Sequence, residues 1–428
     1  MVIAERPQPE LAWNDLEVKN SAAPRPPSSH KTFGGPARHR GSTRALVALL
    51  AFVLGFATVP HRVMEREAST WFDGNPTKAD ALSANLARHT ASATELLTPS
   101  GVTSSFRFDG ERVFATYVMS AMGFGQLALD RADVRELSLA RMETCLEAML
   151  DPRVREFGDR KWGEDALASV ASAPGSPSDR GHVGFLGYAG LALALHRLHE
   201  QTSRFVDREE AIVGAIARRI EASPTGFVET YPGEVYPADN SAALAALAVH
   251  ARATSRPAPA ALDRGLRALA QKGIDPATGL LFHALSVTDA SPRDEARASG
   301  TALAAYFLSF ADAATSRSLF DALERGQFRT VLGFGGMMEY ARGHRDAHAS
   351  VDAGPLFLGF GVAASGYAIG ASRAHGDRDT FTALYATAHL FGAPLDENGT
   401  RTYAMGGLLG DAILFAMLTT PRAGRLLE

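Results

Sequence analysis

Residues 184–199 read GFLGYAGLALALHRLH, and the next helical stretch along the chain, residues 207–222, reads DREEAIVGAIARRIEA. The first stretch is apolar on nearly every helix face, whereas the second has one charged face and one apolar face. A helix that is apolar all round must be enclosed, and an amphipathic helix can enclose it. This pair therefore predicts an inner helix covered by an outer one.

The same alternation repeats along the chain after residue 70. Periodicity predicts twelve helices; the six odd-numbered ones contain 27 Asp, Glu, Lys or Arg in 91 residues, and the six even-numbered ones contain 9 in 105. No alternation of Val, Ile and Thr is long enough to predict a sheet. We therefore predict an all-α fold, an (α/α)6 toroid of twelve helices in two concentric rings. The predicted helices span residues 79–97, 112–130, 133–150, 184–199, 207–222, 239–254, 259–272, 297–313, 316–325, 355–374, 377–390 and 403–419.

The connections between these helices differ in length at the two ends of the predicted toroid. Those that lead into an inner helix have 12 to 33 residues, and those that leave one have 2 to 7. Long connections therefore gather at the end where the inner helices begin, which we call the mouth. Free N–H groups of helix amino termini favour anionic or electron-rich ligands, and binding residues are common on loops held by a rigid scaffold. The sequence thus predicts a functional site in the mouth.

The amino-terminal part of the chain has a different character. Residues 1–44 are rich in Pro and Gly without apolar periodicity, so we predict a disordered cytoplasmic tail. Residues 45–60, ALVALLAFVLGFATVP, carry no charge and follow several arginines. This pattern predicts a transmembrane anchor or signal segment over residues 45–63, in contact with the lipid bilayer, with the barrel domain 64–428 on the extracytoplasmic, periplasmic side. A buried soluble helix is the alternative at this length.

Composition excludes several classes of function. The 43 Lys and Arg against 47 Asp and Glu leave a net charge of -4, so the chain has no general basic field to hold nucleic acid. Cys145 is the only cysteine, which excludes an intramolecular disulfide and a Cys-rich metal site. His344 and His348 have a helical metal-ligand spacing but no HExxH frame, so we predict no metal and no cofactor. The expected partner is a small-molecule substrate, and the sequence leaves both a monomer and a homo-oligomer possible.

Residues 226–241, GFVETYPGEVYPADNS, form the mouth connection richest in polar and aromatic residues. Burial can separate the pKa values of neighbouring carboxyl groups, so that one donates a proton and another accepts it. We predict Asp239 and Glu229 as catalytic residues. A role for Asp239 only as the helix N-cap is the alternative. The predicted substrate-binding residues of this stretch are Tyr231, Glu234, Tyr236 and Asn240.

The connection before residue 184 adds two candidates. His182 lies at the start of an inner helix, where an imidazole can move a proton, and it is the third predicted catalytic residue. A structural hydrogen-bonding role for this histidine is the alternative. Trp162 lies in the same connection and is predicted to form part of the wall of the mouth and bind substrate, with an ordinary surface loop as the alternative.

Several stretches resemble the linalool dehydratase/isomerase family in order and approximate spacing. They are RGHVGFLGYAGLALALHRL from Arg180, GFVETYPGEVYPADNSAALAAL from Gly226, IDPATGLLFHALS from Ile274, RVFATY from Arg112, KWGED from Lys161 and the glycine-rich stretch near Gly359. The resemblance implies an (α/α)6 barrel with a mouth site that needs no metal or organic cofactor. It also implies acid/base-assisted water loss and allylic rearrangement of small isoprenoid alcohols outside the cytoplasmic membrane.

Under this resemblance, the family's active-site histidine falls on His182 and its Asn-Ser motif begins at Asn240. The family's two cysteines would fall near Glu229 or Thr230 and on Asp239, so both cysteines are missing here, and carboxylates at those places could still move protons. The stretch IDPATGLLFHALS adds His283 to the predicted substrate-binding residues. We therefore predict a membrane-anchored acid/base lyase or isomerase acting on a small apolar alcohol. The alternatives are a carbohydrate-active (α/α)6 enzyme, either glycosidase or lyase, and a non-catalytic binding barrel.

Overall fold

The computed structural model describes residues 62–74, 76–91, 109–341 and 356–423. All of them belong to the unit Leu54–Glu428, one of two into which the chain divides, the other being Met1–Val53. The helices are α1 (62–72), α2 (Pro76–Thr90), α3 (Asp109–Asp130), α4 (Arg135–Leu150), α5 (Pro152–Trp162), α6 (Ala166–Val170), α7 (Val183–His199), α8 (Val206–Ala222), α9 (Pro237–Ala253), α10 (Ala260–Ala268), α11 (Ala298–Leu308), α12 (Ala313–Gly326), α13 (Val362–Ala374), α14 (Arg378–Gly392) and α15 (Gly407–Leu418). The strands are β1 (Phe328–Val331), β2 (Phe334–Met337), β3 (Leu356–Phe357), β4 (Phe360–Gly361), β5 (Pro394–Glu397) and β6 (Thr400–Tyr403).

Six of these helices form a closed inner ring. In the order α3, α7, α9, α11, α13 and α15, each packs against the next, and α15 packs back against α3. Neighbours run parallel. Phe114 and Phe185 lie together near the starts of α3 and α7, with ring centroids 5.2 Å apart, and Gly125 lies against Leu195 towards the ends of the same helices. The six helix starts therefore share one end of the ring, as the sequence predicts for the mouth.

A second set of helices covers the outside of this ring. Helix α2 packs on α15, α4 on α3, α8 on α7, α10 on α9, α12 on α11 and α14 on α13. The buried faces of the outer helices join the inner ring in one apolar core. The predicted toroid of two concentric rings is therefore confirmed.

Small residues set how closely the inner helices approach. A Cβ atom at Gly187 of α7 would lie 3.0 Å from the backbone oxygen of Asp239 in α9. At Gly123 of α3, a Cβ atom would lie 2.2 Å from Cδ1 of the fully buried Phe415 in α15. Protein interiors are packed like organic crystals, so an added methyl group here must displace its neighbours.

We expect Gly123→Ala to lower the free energy of unfolding by about 1–3 kcal/mol, because the new methyl group overlaps the Phe415 ring. Gly410→Ala in α15 is the matched control, since a Cβ atom there meets nothing within 4 Å. The control should leave stability unchanged or raise it by up to about 1 kcal/mol, because alanine favours the helix more than glycine does. Urea unfolding of both variants measures the difference, and equal stabilities would contradict the close packing.

Three two-stranded antiparallel hairpins depart from the all-α prediction: β1 with β2, β3 with β4, and β5 with β6. Each turns through two residues with positive φ, at Leu332-Gly333, Leu358-Gly359 and Asn398-Gly399. Two successive left-handed residues make the turn that matches the twist of a hairpin. All three hairpins lie in connections that lead into α13 or α15, so they build part of the mouth. The predicted helices 355–374 and 403–419 are shortened accordingly.

The prediction of a single-pass membrane protein is wrong: among the described residues, no helix combines the length and apolar character needed to cross a bilayer. Only the last two residues of the predicted segment 45–63 are described, and they belong to α1, which carries Arg62 and Glu65. Charged side chains are costly in hydrocarbon. Residues 1–61, with the predicted cytoplasmic tail and the rest of the predicted anchor, lie outside the described residues.

Candidate functional site

The side chain of Asp239 is held in the mouth by two hydroxyl groups. Asp239 is the third residue of α9, and Tyr236 occupies the N-cap position, so the alternative of Asp239 as N-cap is not what the structure shows. The hydroxyl of Tyr188 donates to Asp239 Oδ1 at 2.8 Å, and the hydroxyl of Thr230 donates to Oδ2 at 2.8 Å. A carboxylate in the first turn of a helix also benefits from the positive end of the helix dipole.

Tyr188 places this carboxylate inside the ring. Its aromatic ring stands nearly perpendicular to that of Phe307, with centroids 5.2 Å apart, and edge-on to Phe114 at 6.5 Å. These rings come from α11 and α3, on either side of α7 and α9. Buried tyrosines usually find a hydrogen-bond partner for the hydroxyl. Tyr188 was not predicted as a site residue, because in the sequence it is one more aromatic residue of a helix that is apolar on all faces.

His182 lies beside this pair, in a strained backbone conformation. It is the N-cap of α7 with φ of 59°, and its imidazole is buried. The ring stacks on Trp162 at 4.5 Å, and Nε2 lies 3.7 Å from Glu164 Oε1. The indole N–H of Trp162 donates to the backbone oxygen of Thr230 at 3.2 Å. His182, Trp162, Thr230 and Asp239 therefore form one connected cluster, which we call the inner cluster.

Burial and the nearby Arg219 together lower the pKa of His182 to about 4, against the opposing effect of Glu164. The imidazole is therefore neutral near pH 7. A neutral imidazole can accept a proton, whereas a general acid must already carry one. The lowered pKa therefore favours a role for His182 as a base or a structural group rather than as a general acid.

We expect His182→Asn to weaken the pH dependence of stability below pH 6.5. The folded protein holds this histidine neutral down to about pH 4, whereas the unfolded chain takes up the proton near 6.5. Its pKa is lowered by folding, so unfolding becomes easier as the pH falls through this window. The variant should take up about one proton fewer on unfolding, and asparagine tolerates the left-handed conformation. Urea unfolding at pH 4.5, 5.5 and 7 measures this; an unchanged pH dependence would contradict the burial.

Asn240 has a structural place in the same loop. Its Oδ1 accepts from the backbone N–H of Val228 at 2.9 Å, and its Nδ2 donates to the backbone oxygens of Val228 and Tyr236, both at 3.0 Å. The side chain is buried, and its amide group already holds the loop to α9. Asn240, predicted to bind substrate, therefore ties the loop at Val228 and Tyr236 to α9, next to Asp239.

The other residues predicted for the site from the stretch 226–241 lie outside the inner cluster. Glu229 Oε2 accepts from the backbone N–H of Gly233 at 2.8 Å and so supports the local turn. Glu234 is exposed and accepts from the hydroxyl of Tyr236 at 3.0 Å. The ring of Tyr236 lies 5.3 Å from that of His283. These side chains form an outer rim of the mouth.

Tyr231 adds a carboxylate from another helix. Its hydroxyl donates to Glu111 Oε1, in the first turn of α3, at 2.9 Å, and the Nζ atom of Lys161 lies 3.3 Å from the centre of its ring. On the opposite side of the inner helix ring, at the start of α11, the fully buried Glu339 accepts from the hydroxyl of Ser299 at 2.5 Å. Glu111 and Glu339 were missed as site residues, because their partners are distant in sequence.

Groups able to hold a metal lie elsewhere in the described part of the chain. Two sets of three side chains are close enough to share an ion: Glu143, His196 and Glu200, and Glu209, Glu210 and His250. They lie towards the ends of α7 and α9, away from the inner cluster. His344 and His348 fall outside the described residues.

No protein-family model matches the chain, and no curated protein matches it. The solved structures similar to it include a GH76 α-mannanase from Bacteroides thetaiotaomicron, with a TM-score of 0.46 and 12% identity, covering 79% of this chain and 94% of the other. The GH76 α-1,6-mannanase from Salegentibacter sp. HEL1_6 has a TM-score of 0.47 and 11% identity, covering 79% and 98%. An inactive variant of that mannanase in complex with α-1,6-mannotriose has a TM-score of 0.48 and 12% identity, covering 79% and 99%. The ring described above rests on this chain's own helix contacts.

Proposed function

We propose that the chain is a carbohydrate-active enzyme, a hydrolase of the glycosidase type, with Asp239 as a catalytic carboxylate. The observation that carries this proposal is the fixing of Asp239 by two hydroxyl donors inside the mouth. Glycosidases use two carboxyl groups on either side of the scissile bond, one to move the proton and one to act as nucleophile or base. The mouth contains further carboxylates for the second role.

Glu164 is the candidate for the second carboxylate. Its Oε1 atom is buried and has no hydrogen-bond partner among the described residues, and it lies 3.7 Å from the neutral His182. An unsatisfied buried oxygen is costly unless a ligand or a proton satisfies it. Glu164 next to the inner cluster therefore suits proton transfer to a sugar oxygen, with His182 as its neighbour.

The test is hydrolysis of a panel of α- and β-linked oligosaccharides, including α-1,6-mannotriose, by the full-length protein. Mass spectrometry and a reducing-end assay should show cleavage of at least one linkage type. NMR of the fresh product gives its anomeric configuration, which depends on the separation of the two carboxyl groups. Failure to cleave any member of a broad panel would count against the proposal.

A second candidate function is water loss from, or isomerisation of, a small apolar alcohol, as the family resemblance implies. The rings of Phe114 and Phe307 beside Tyr188 favour it, because they provide an apolar wall next to Asp239. Thiol chemistry would need another source than Cys145, which is buried in the outer helix α4 and whose pKa is raised to about 12 by burial. Asp239 and His182 would then move the protons.

The same protein preparation distinguishes the two functions. Incubation with linalool or a similar tertiary allylic alcohol, followed by gas chromatography, should show a diene or a rearranged alcohol if this second function holds. Turnover of alcohols without cleavage of oligosaccharides would replace the first proposal. Saturable binding of either class without turnover would indicate the third alternative, a non-catalytic binding barrel.

A further inference from the structure

A cavity of about 410 Å³ lies at the opposite end of the toroid from the mouth. Its wall includes Asp130 at the end of α3, Arg373 near the end of α13 and Leu418 at the end of α15, whereas the inner cluster lies where inner helices begin. Trp71 and Phe72 at the end of α1 form its aromatic side. Its volume is within the range of small-molecule sites.

Trp71, which lines this cavity, has an unsatisfied donor. The side chain is 1% exposed, yet its indole N–H has no hydrogen-bond partner among the described residues. A buried donor without a partner costs free energy, and native proteins rarely leave one unless a water molecule or a ligand fills the gap. An acceptor atom in the cavity would satisfy the Trp71 N–H.

Arg422 contributes a positive charge that no carboxylate of the described residues neutralises at ion-pair distance. Its guanidinium donates to the backbone oxygen of Arg373 at 2.6 Å and lies over the ring of Phe72 at 4.1 Å. Burial and the nearby Arg378 lower the pKa of Arg422, against the opposing effect of Asp73 and Asp130, so burial of this positive charge is only partly compensated. An anion in the cavity would offset that cost.

The other charges that line the cavity are already paired. Asp73 accepts two hydrogen bonds from Arg378, Arg131 binds Asp80 and Asp133, and Asp130 lies 3.7 Å from Arg373. Both carboxylates of the wall therefore have an arginine of their own. Arg422 is therefore the charge of the wall without an ion pair among the described residues, and Ala79 and Leu127 add aliphatic surface to the wall.

We propose that this cavity binds a small organic anion, in which a carboxylate or phosphate group meets Arg422 and the Trp71 N–H and an apolar body packs against Trp71 and Phe72. Guanidinium groups and indole N–H groups are both good donors to such oxyanions. The site is separate from the mouth and does not depend on the proposed enzymatic function. A small effector with an acidic group is the expected ligand class.

The test uses the full-length protein with benzoate, phenyl phosphate and, as uncharged and cationic comparisons, benzyl alcohol and benzylamine. Isothermal calorimetry should show one site per chain for benzoate or phenyl phosphate, and the stronger of the two identifies the acidic group. Tryptophan fluorescence should change on binding, since Trp71 lines the cavity. Benzyl alcohol or benzylamine binding as tightly as both anions would overturn the proposal, and so would no binding of either anion.

Arg422→Gln should weaken anion binding by about tenfold or more, because a charge-assisted hydrogen bond is lost. The exposed Arg208 of α8 provides the matched control, and Arg208→Gln should bind within about twofold of the wild type. Trp71→Phe keeps the aromatic wall but removes the N–H, and should also weaken binding. This variant decides the matter if Arg422→Gln does not fold, and unchanged affinity in either folded variant would contradict the site.

Discussion

Replacing Asp239 with asparagine should lower kcat/KM for the substrate accepted by the mouth by about 10²–10⁴-fold, the usual contribution of a positioned acid or base. Asparagine has nearly the same shape but cannot take or give the proton. Because one of its two side-chain groups is an N–H donor, it cannot accept from both Tyr188 and Thr230, whose hydroxyls now donate to the carboxylate. We expect a modest fall in melting temperature of a few degrees.

The control for this prediction is Asp263→Asn, a change of the same chemistry on the exposed side of the outer helix α10. It should leave both kcat/KM and the melting temperature unchanged. Tyr188→Phe tests positioning, since it removes one hydroxyl donor but leaves the Asp239 carboxylate; kcat should fall and the acid limb of its pH profile should move. Asp239→Asn with more than half of the wild-type activity would remove Asp239 from the mechanism.

Arg219→Met should lower the free energy of unfolding by about 3–5 kcal/mol, the cost of removing one partner from a buried ionic network. Arg219 is 4% exposed. It donates to Asp179 at 3.2 Å, to the backbone oxygen of Gly181 at 3.0 Å and to that of Ser169 at 2.9 Å. Methionine fills similar space but leaves two buried carbonyl groups without this donor. Because Gly181 precedes His182, the loss should also loosen the inner cluster.

Arg218 provides the matched control for this second prediction. It also binds Asp179, at 3.2 Å, but its side chain is 35% exposed. Solvent screens such a pair, so Arg218→Met should cost about 0–1 kcal/mol. Guanidinium chloride unfolding of the two variants compares them directly. Similar losses for both would mean that burial does not decide the strength of this network.

The ring of helices could be predicted because each inner helix carries its own evidence of enclosure. The stretch 184–199 has a single charged residue, Arg197, in its last turn, and all of its first twelve residues are Gly, Ala, Leu, Phe or Tyr. Such a helix cannot face water, and the charged helix after it supplies the cover. The lengths of the connections then predict which end of the ring is the mouth, since the long connections all lead into inner helices.

The hairpins could be predicted only in part. Asn398-Gly399 is a strong local signal for a hairpin, but each flanking strand has only four residues, too few to show the alternation that predicts a sheet. The other two turns place Leu332 and Leu358 in left-handed conformations, which leucine rarely adopts. In these two hairpins, the pairing of the strands and their packing on α13 and α14 determine the turn. The turn residues alone therefore do not predict its conformation.

The candidate site shows the same division between local and distant information. Asp239, His182 and Trp162 were predicted from their place before inner helices, and the structure joins them in one cluster through Thr230. Tyr188 was missed, since it belongs to a helix that the sequence explains entirely as core. Its bond to Asp239 spans 51 residues, and no pattern within a single helix indicates such a contact.

The contact that closes the ring lies between the first and last inner helices. Gln126 of α3 donates to the backbone oxygen of Ala416 in α15 at 3.1 Å, across 290 residues. During synthesis, nearly the whole chain must therefore be made before α15, the last neighbour of α3, leaves the ribosome. Until then the apolar flank of α3 is open, which exposes the growing chain to aggregation. A stop codon before residue 407 should thus yield a protein that chaperones retain, whereas loss of the residues beyond 423 leaves the closing contact in place.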